Sequence, residues 1–292
     1  MDLPASVADL GEKLSVAGEV TPEPALFHDA DVFAAERERI FTRPTIAVDH
    51  ETRLSADQHY FRSDVAPRGL IVTREAGGRL RALRNICIHA GYPVCEAEEG
   101  AGDRLVCLYH GWEYALDGRL VEPALSSRID PSRLRLTEYP LEVCNGLILV
   151  DLSGKSAAGQ YAETVPAWLA TAKVVARTKH GTTWNWKFLN HFLRSSPHLF
   201  FVDAPDTYLE FGPLSFMIAQ GQRAFLLRVI PRFAEQTDFH VIEMAGEEAL
   251  EKNSSTRGND AVVDGLRCAD ISVGWFDRRF ADWYWSLMSA AQ

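Results

Sequence analysis

Two short segments constrain this chain more than anything else in it: Ile86-Cys87-Ile88-His89-Ala90-Gly91 and Val106-Cys107-Leu108-Tyr109-His110-Gly111-Trp112. Together they spell C-x-H, seventeen residues, then C-x-x-H. Four soft ligands on two short loops point to a metal. A structural Zn²⁺ accepts two Cys and two His. Zinc folds, however, usually pair Cys with Cys and His with His, whereas both halves here alternate. A [2Fe–2S] cluster in which two imidazoles replace two thiolates on one iron takes one ligand of each kind from each loop. Cys87, His89, Cys107 and His110 are therefore the expected cluster and metal ligands. Neutral imidazoles leave such a cluster less negative than four thiolates would, which places its potential within about −150 to +300 mV. It would accept single electrons from a ferredoxin or flavin. Gly91 and Gly111 suit tight turns after the ligand pairs, Pro93 stiffens one loop, and Trp112 is placed to cover the cluster from water.

Composition narrows the rest. The 292 residues are 47% apolar and 24% charged, enough for one large folded domain or two modest ones. The formal charge of −10 argues against nucleic acid or anionic lipid as the main partner. Without a run of eighteen apolar residues, or a basic start with an apolar h-region, the expected location is cytoplasmic and off the membrane. Five cysteines, an odd number, disfavour a disulfide framework. Cys95, Cys144 and Cys268 are expected to be core thiols.

Patterning divides the chain into an N-terminal helical segment (1–43), an all-β domain (44–153) and a third region (154–292). In the first, Asp31 is placed to cap a short amphipathic helix that puts Val32, Phe33, Ile40 and Phe41 near one face. In the second, apolar runs flank turn signals at Gly77-Gly78, Asp117-Gly118 and Asn145-Gly146. A small, polar linker follows at 151–160. The third region has helical spacing from Trp184 to Leu193. Strand-like runs then cover Leu214 to Gln220, Ala224 to Ile230 and Phe239 to Met244, with a turn at Gly221-Gln222, and an aromatic-rich helix closes the chain over 276–290. The class is α+β.

The motif His110-Gly111-Trp112-Glu113-Tyr114 followed by Asp117-Gly118-Arg119-Leu120, with Glu36 to Arg43 upstream and Asn185-Trp186-Lys187 downstream, resembles the α subunits of Rieske non-heme iron oxygenases, the aromatic-ring-hydroxylating dioxygenase family. One departure is Ala90, where the family usually has Arg. The resemblance implies a Rieske [2Fe–2S] domain and a C-terminal helix-grip-like domain of antiparallel sheet and helices. It also implies a mononuclear Fe(II) held by two His and one carboxylate with open positions for O₂. Counting from Trp186, His198 falls at the first histidine, Asp203 stands where the second should be, and Ser195 occupies the acidic position that links cluster to iron. His191 and His198 are seven apart, about 10.5 Å of rise on a continuous helix, too far to share one iron unless Pro197 breaks it. His198, Asp203 and Asp206, with Asp260 or Asp264 as distal carboxylate, are what remains for such a site; otherwise His191 is a core or interface histidine and Asp203 and Asp206 lie on a solvated loop. Family members with complete catalytic domains are longer, so the catalytic region is expected to be shortened and degenerate.

Three functions follow. The foremost is an auxiliary α-like subunit, passing electrons from a ferredoxin or flavin reductase to a catalytically complete partner within a trimeric or hexameric assembly. The alternative is a self-sufficient Rieske oxygenase that hydroxylates or demethylates a small organic molecule at a non-standard iron site. A third is a redox sensor or scaffold.

Overall fold

The computed structural model describes residues 2–14, 22–65, 69–123, 130–155, 159–201, 203–251 and 278–290; Asp260, Asp264 and Cys268 lie outside them. The chain divides into two compact units, Thr45–Val174 and a second one made of Met1–Pro44 with Val175–Gln292.

The unit Thr45–Val174 is antiparallel β throughout its paired strands. Its strands are β1 (Thr45–His50), β2 (His59–Ser63), β3 (Leu70–Arg74), β4 (Leu80–Arg84), β5 (Glu99–Ala101), β6 (Arg104–Cys107), β7 (Trp112–Ala115), β8 (Leu120–Glu122), β9 (Glu138–Tyr139), β10 (Leu141–Cys144) and β11 (Leu147–Asp151). They form sheets ordered β1-β11-β10, β5-β2-β3-β4-β9 and β6-β7-β8. All three expected turns close hairpins. At the tightest of them, between β10 and β11, Asn145 and Gly146 take φ of 45° and 84°, the pair of positive values that a two-residue hairpin loop matched to strand twist requires. Ile71, Leu83, Leu105, Trp112, Tyr114, Leu120 and Leu136 pack into one core around Cys87 and Cys107. The chain stays in this unit past the boundary that patterning draws after residue 153. Buried His50 sets its Nε2 2.9 Å from the carbonyl of Leu169, and Asn145 Nδ2 donates to the carbonyl of Val165 at 2.8 Å.

The second unit holds helices α1 (Ala5–Leu14), α2 (Ala25–His28), α3 (Ala30–Arg39) and α4 (Trp186–Ser195), a C-terminal helix Arg278–Ser289, and a five-stranded sheet. The sheet runs β12 (Lys173–Thr182), β16 (Gln236–Ala245), β15 (Arg223–Phe233), β14 (Ser215–Gln220), β13 (Thr207–Glu210). Helix α4 and the turn after it pack on one face: Arg194 lies 4.9 Å over the Phe216 ring, and Phe200 and Phe201 meet Phe225 at 5.1 and 5.2 Å. This is the expected α+β class, an antiparallel sheet gripping a helix.

Two local expectations are corrected. Asp29 rather than Asp31 caps α3, its carboxylate accepting from the amides of Asp31 and Val32 at 2.7 and 3.1 Å. Asp31 is the second helical residue, where its charge still favours the positive helix end. Helix α4 begins at Trp186, because Asn185 Oδ1 accepts from the Lys187 amide at 2.9 Å and so stops the chain from extending the helix back to Trp184.

One buried carboxylate joins three helices of this unit. Glu36 on α3 accepts from Trp186 Nε1 at 2.7 Å, Lys187 Nζ at 2.5 Å and Tyr284 Oη at 2.6 Å, and all four side chains are buried.

Candidate metal centre

The two motif loops are built alike. Each leaves a buried cysteine, turns so that the glycine four residues on donates to the cysteine carbonyl, and lets the histidine emerge at the bend. Gly91 donates to the Cys87 carbonyl at 2.9 Å and Gly111 to that of Cys107 at 2.8 Å. Both glycines sit at positive φ, 75° and 71°, which side chains disfavour. The second loop joins β6 to β7 as a hairpin, with Cys107 facing Trp112 across the ladder.

The loops meet with their cysteines inside and their histidines outside. Cys87 and Cys107 are free thiols, buried in one apolar core. Burial pushes the Cys107 thiol up, while the amides of Tyr109 and His110, aimed at its sulfur, oppose that rise. His89 and His110 are exposed, their ring centroids 4.6 Å apart. Trp112, buried beneath them, stacks on His89 at 4.8 Å and 9°. All four expected ligands thus come together as two neighbouring sulfurs below two neighbouring imidazoles. A binuclear cluster asks for this arrangement, two ligands on each iron, whereas a single zinc needs all four to converge on one point.

Two further residues shape the site. Tyr114 Oη lies 3.2 Å from Cys87 Sγ and accepts from the Ile88 amide at 3.3 Å. Burial, reinforced by Cys87, drives its acidity far down, so the phenol keeps its proton. Buried Asn85 accepts from the amides of Val94 and Cys95 at 2.9 and 2.8 Å and donates to the Cys95 carbonyl at 2.8 Å. It thereby pins the stretch whose Pro93 carbonyl stands 3.6 Å from Cys107 Sγ. Sequence reasoning passes over both roles. A strand tyrosine pointing inward must find a partner for its hydroxyl, and that was the available signal for Tyr114; Asn85 offers none.

Residues 45–140 match the family model of the Rieske [2Fe–2S] domain. The N,N-dimethyl phenylurea N-demethylase α subunit of Sphingobium sp. (strain YBL2) is 37% identical over 134 residues, 44% of this chain and 29% of that protein. The biphenyl 2,3-dioxygenase α subunit of Rhodococcus jostii (strain RHA1) is 27% identical over 57% of this chain and 39% of its own length. The apo crystal structure of a quaternary ammonium Rieske monooxygenase superposes with a TM-score of 0.66 at 18% identity, covering 100% of this chain and 89% of that one. The chain carries a Rieske [2Fe–2S] domain over residues 45–140, and the curated relatives it resembles are oxygenase α subunits. It spans about 29 to 39% of the length of these two curated relatives. The structural likeness extends over both units, and at that identity it speaks for the fold alone.

The positions at which the resemblance places mononuclear iron lie on successive short segments after helix α4. Helix α4 ends at Ser195, whose hydroxyl turns back to donate to the His191 and Phe192 carbonyls at 2.8 and 3.2 Å. His198 follows on a separate 3-10 turn, Pro197–Leu199, and is exposed, as is Asp203. Asp206 is engaged in its own turn, accepting from the Gly221 amide at 2.7 Å and the Thr207 hydroxyl at 3.0 Å. His191 is half-buried, its ring 6.4 Å from that of Phe280. The two described non-ligand cysteines are buried thiols that donate to carbonyls, Cys95 to Ala97 and Cys144 to Tyr161. No helix among the described residues is long and apolar enough to cross a membrane.

Proposed function

We propose that Cys87 and Cys107 hold one iron of the Rieske cluster and His89 and His110 the other, and that the chain serves as the electron-transferring component of an oxygenase system beside a catalytically complete partner. When bound, the cluster supplies a one-electron couple. The chain's own residues keep the sulfur side dry within the core and leave the imidazole edges at the surface, where electrons can enter and leave. Tyr114 donates to the Cys87 sulfur, and the amides of Tyr109 and His110 do the same for Cys107.

The observation that supports the auxiliary role is the contrast between the two sites. The four proposed cluster ligands lie on two adjoining loops, whereas Ser195 and Asp203 stand where the resemblance expects the acidic link and the second histidine, and the Ser195 hydroxyl is bonded to its own helix. The electron donor is proposed to be a ferredoxin or flavin reductase, and the acceptor a second α-like subunit. Iron analysis with low-temperature EPR on the purified chain tests this. About two irons per chain, all in a Rieske signal, is expected from one binuclear cluster. About three, together with reductase-driven product formation that His198→Ala abolishes, would establish the self-sufficient oxygenase instead.

A further inference from the structure

The outer rim of the metal centre is aromatic. Tyr92, from the first loop, and Tyr109, from the second, lie ring on ring with centroids 3.6 Å apart and planes at 16°. Both are about half exposed, Tyr92 at 46% and Tyr109 at 51%, so neither is held there by a surrounding core. Each is tied at its backbone to a ligand of its own loop. The Tyr92 carbonyl accepts from the Cys87 amide at 2.7 Å, and Tyr109 stands between Cys107 and His110, its ring 4.0 Å from the His110 imidazole. The loops also meet where Pro93 approaches the Cys107 sulfur, where Trp112 stacks on His89, and at the exposed His89–His110 ring pair, 4.6 Å apart. At the rim, His110 has the Tyr109 ring beside it, and Tyr109 has Tyr92.

From this geometry we infer that the Tyr92–Tyr109 stack is a clasp that closes the two ligand loops on their solvent side, with Tyr92 a positioning residue that sets His110 through Tyr109. It rests on the ligand assignment made above. Without the stack the second loop is still anchored at Cys107 by the β6–β7 hairpin, but its histidine end is free to swing outward, taking one of the two imidazole ligands with it. Cluster loss starts at the exposed imidazole side, because the thiolate side is enclosed.

The test compares wild-type full-length protein with Tyr92→Leu, which keeps apolar bulk but removes the ring, and Tyr92→Phe, which keeps the ring and loses the hydroxyl. Two readouts serve: the rate at which the cluster yields its iron to a ferrous chelator, and the EPR spectrum of the reduced cluster, whose g-values follow imidazole orientation. Tyr92→Leu is expected to release iron about three- to tenfold faster, as the loss of one aromatic pair allows, with shifted or broadened g-values. Tyr92→Phe should stay within about twofold of wild type on the same scale. If Tyr92→Leu keeps the wild-type rate and spectrum, or if Phe behaves as Leu does, the clasp is overturned. Should the wild-type chain itself give no Rieske signal, the ligand assignment falls and the clasp falls with it.

Discussion

Tyr114 shows how a single side chain sets the character of the centre. With Cys87 holding iron as proposed, its thiolate has no proton, so the 3.2 Å contact to Cys87 Sγ is donated by the phenol, which burial keeps protonated. A donor on sulfur stabilises the more negative, reduced cluster. Hydrogen bonds to sulfur are among the factors that set such potentials. Tyr114→Phe is therefore expected to lower the midpoint potential. A hydrogen bond of about 1 kcal/mol corresponds to roughly 40 mV in a one-electron couple. A redox titration followed by EPR measures it, and an unchanged or raised potential would contradict the donor role. The four proposed ligands stand out in the sequence because their spacing is local. Tyr114 and Asn85 were not, since their partners lie 26 and 27 or 9 and 10 residues away and no short pattern encodes such pairs.

Among elements, the most consequential link is between stretches that resemble the family far apart in sequence. Glu36 near the start and Trp186-Lys187 past the middle meet directly, and the C-terminal helix adds Tyr284. Helix α4 is thus held by its first turn, with its far end left for the Ser195–His198 segment. Lys187 is fully buried, and burial pushes its ammonium toward the neutral form while Glu36 holds it charged. Glu36→Gln leaves that charge without its counter-ion, a change that typically costs about 3–5 kcal/mol. Chemical denaturation of the variant should show a loss of this size, and a loss below about 1 kcal/mol would mean that the pair contributes little. Strand recognition had a matching limit. β14, β15 and β16 announce themselves as apolar runs, but β12 alternates exposed Lys173, Val175, Arg177 and Lys179 with half-buried Val174, Ala176, Thr178 and His180. Its inward positions are largely small or polar, so a period-two pattern exists in space without an apolar signal in the sequence.

At the scale of the molecule, chemistry and fold are partitioned. Every proposed cluster ligand, with Tyr114, Asn85 and the core that encloses the sulfurs, lies in the unit Thr45–Val174, while α4 and the sheet it packs on belong to the other. Metal binding free energy is folding free energy for the segments that supply ligands. Two loops with few regular backbone bonds of their own draw most from it, since they would open first when it is lost. Removing the cluster with a chelator under reducing conditions should therefore act locally. Hydrogen–deuterium exchange should accelerate, on the order of tenfold or more, at 85–95 and 105–114, where ligand binding no longer opposes opening. Amides of α4 and of β14 to β16 should exchange as before. If protection fell equally in both units, the cluster would be supporting the whole chain and not one unit of it, and an auxiliary role in which the second unit serves assembly independently of the metal would lose its structural basis.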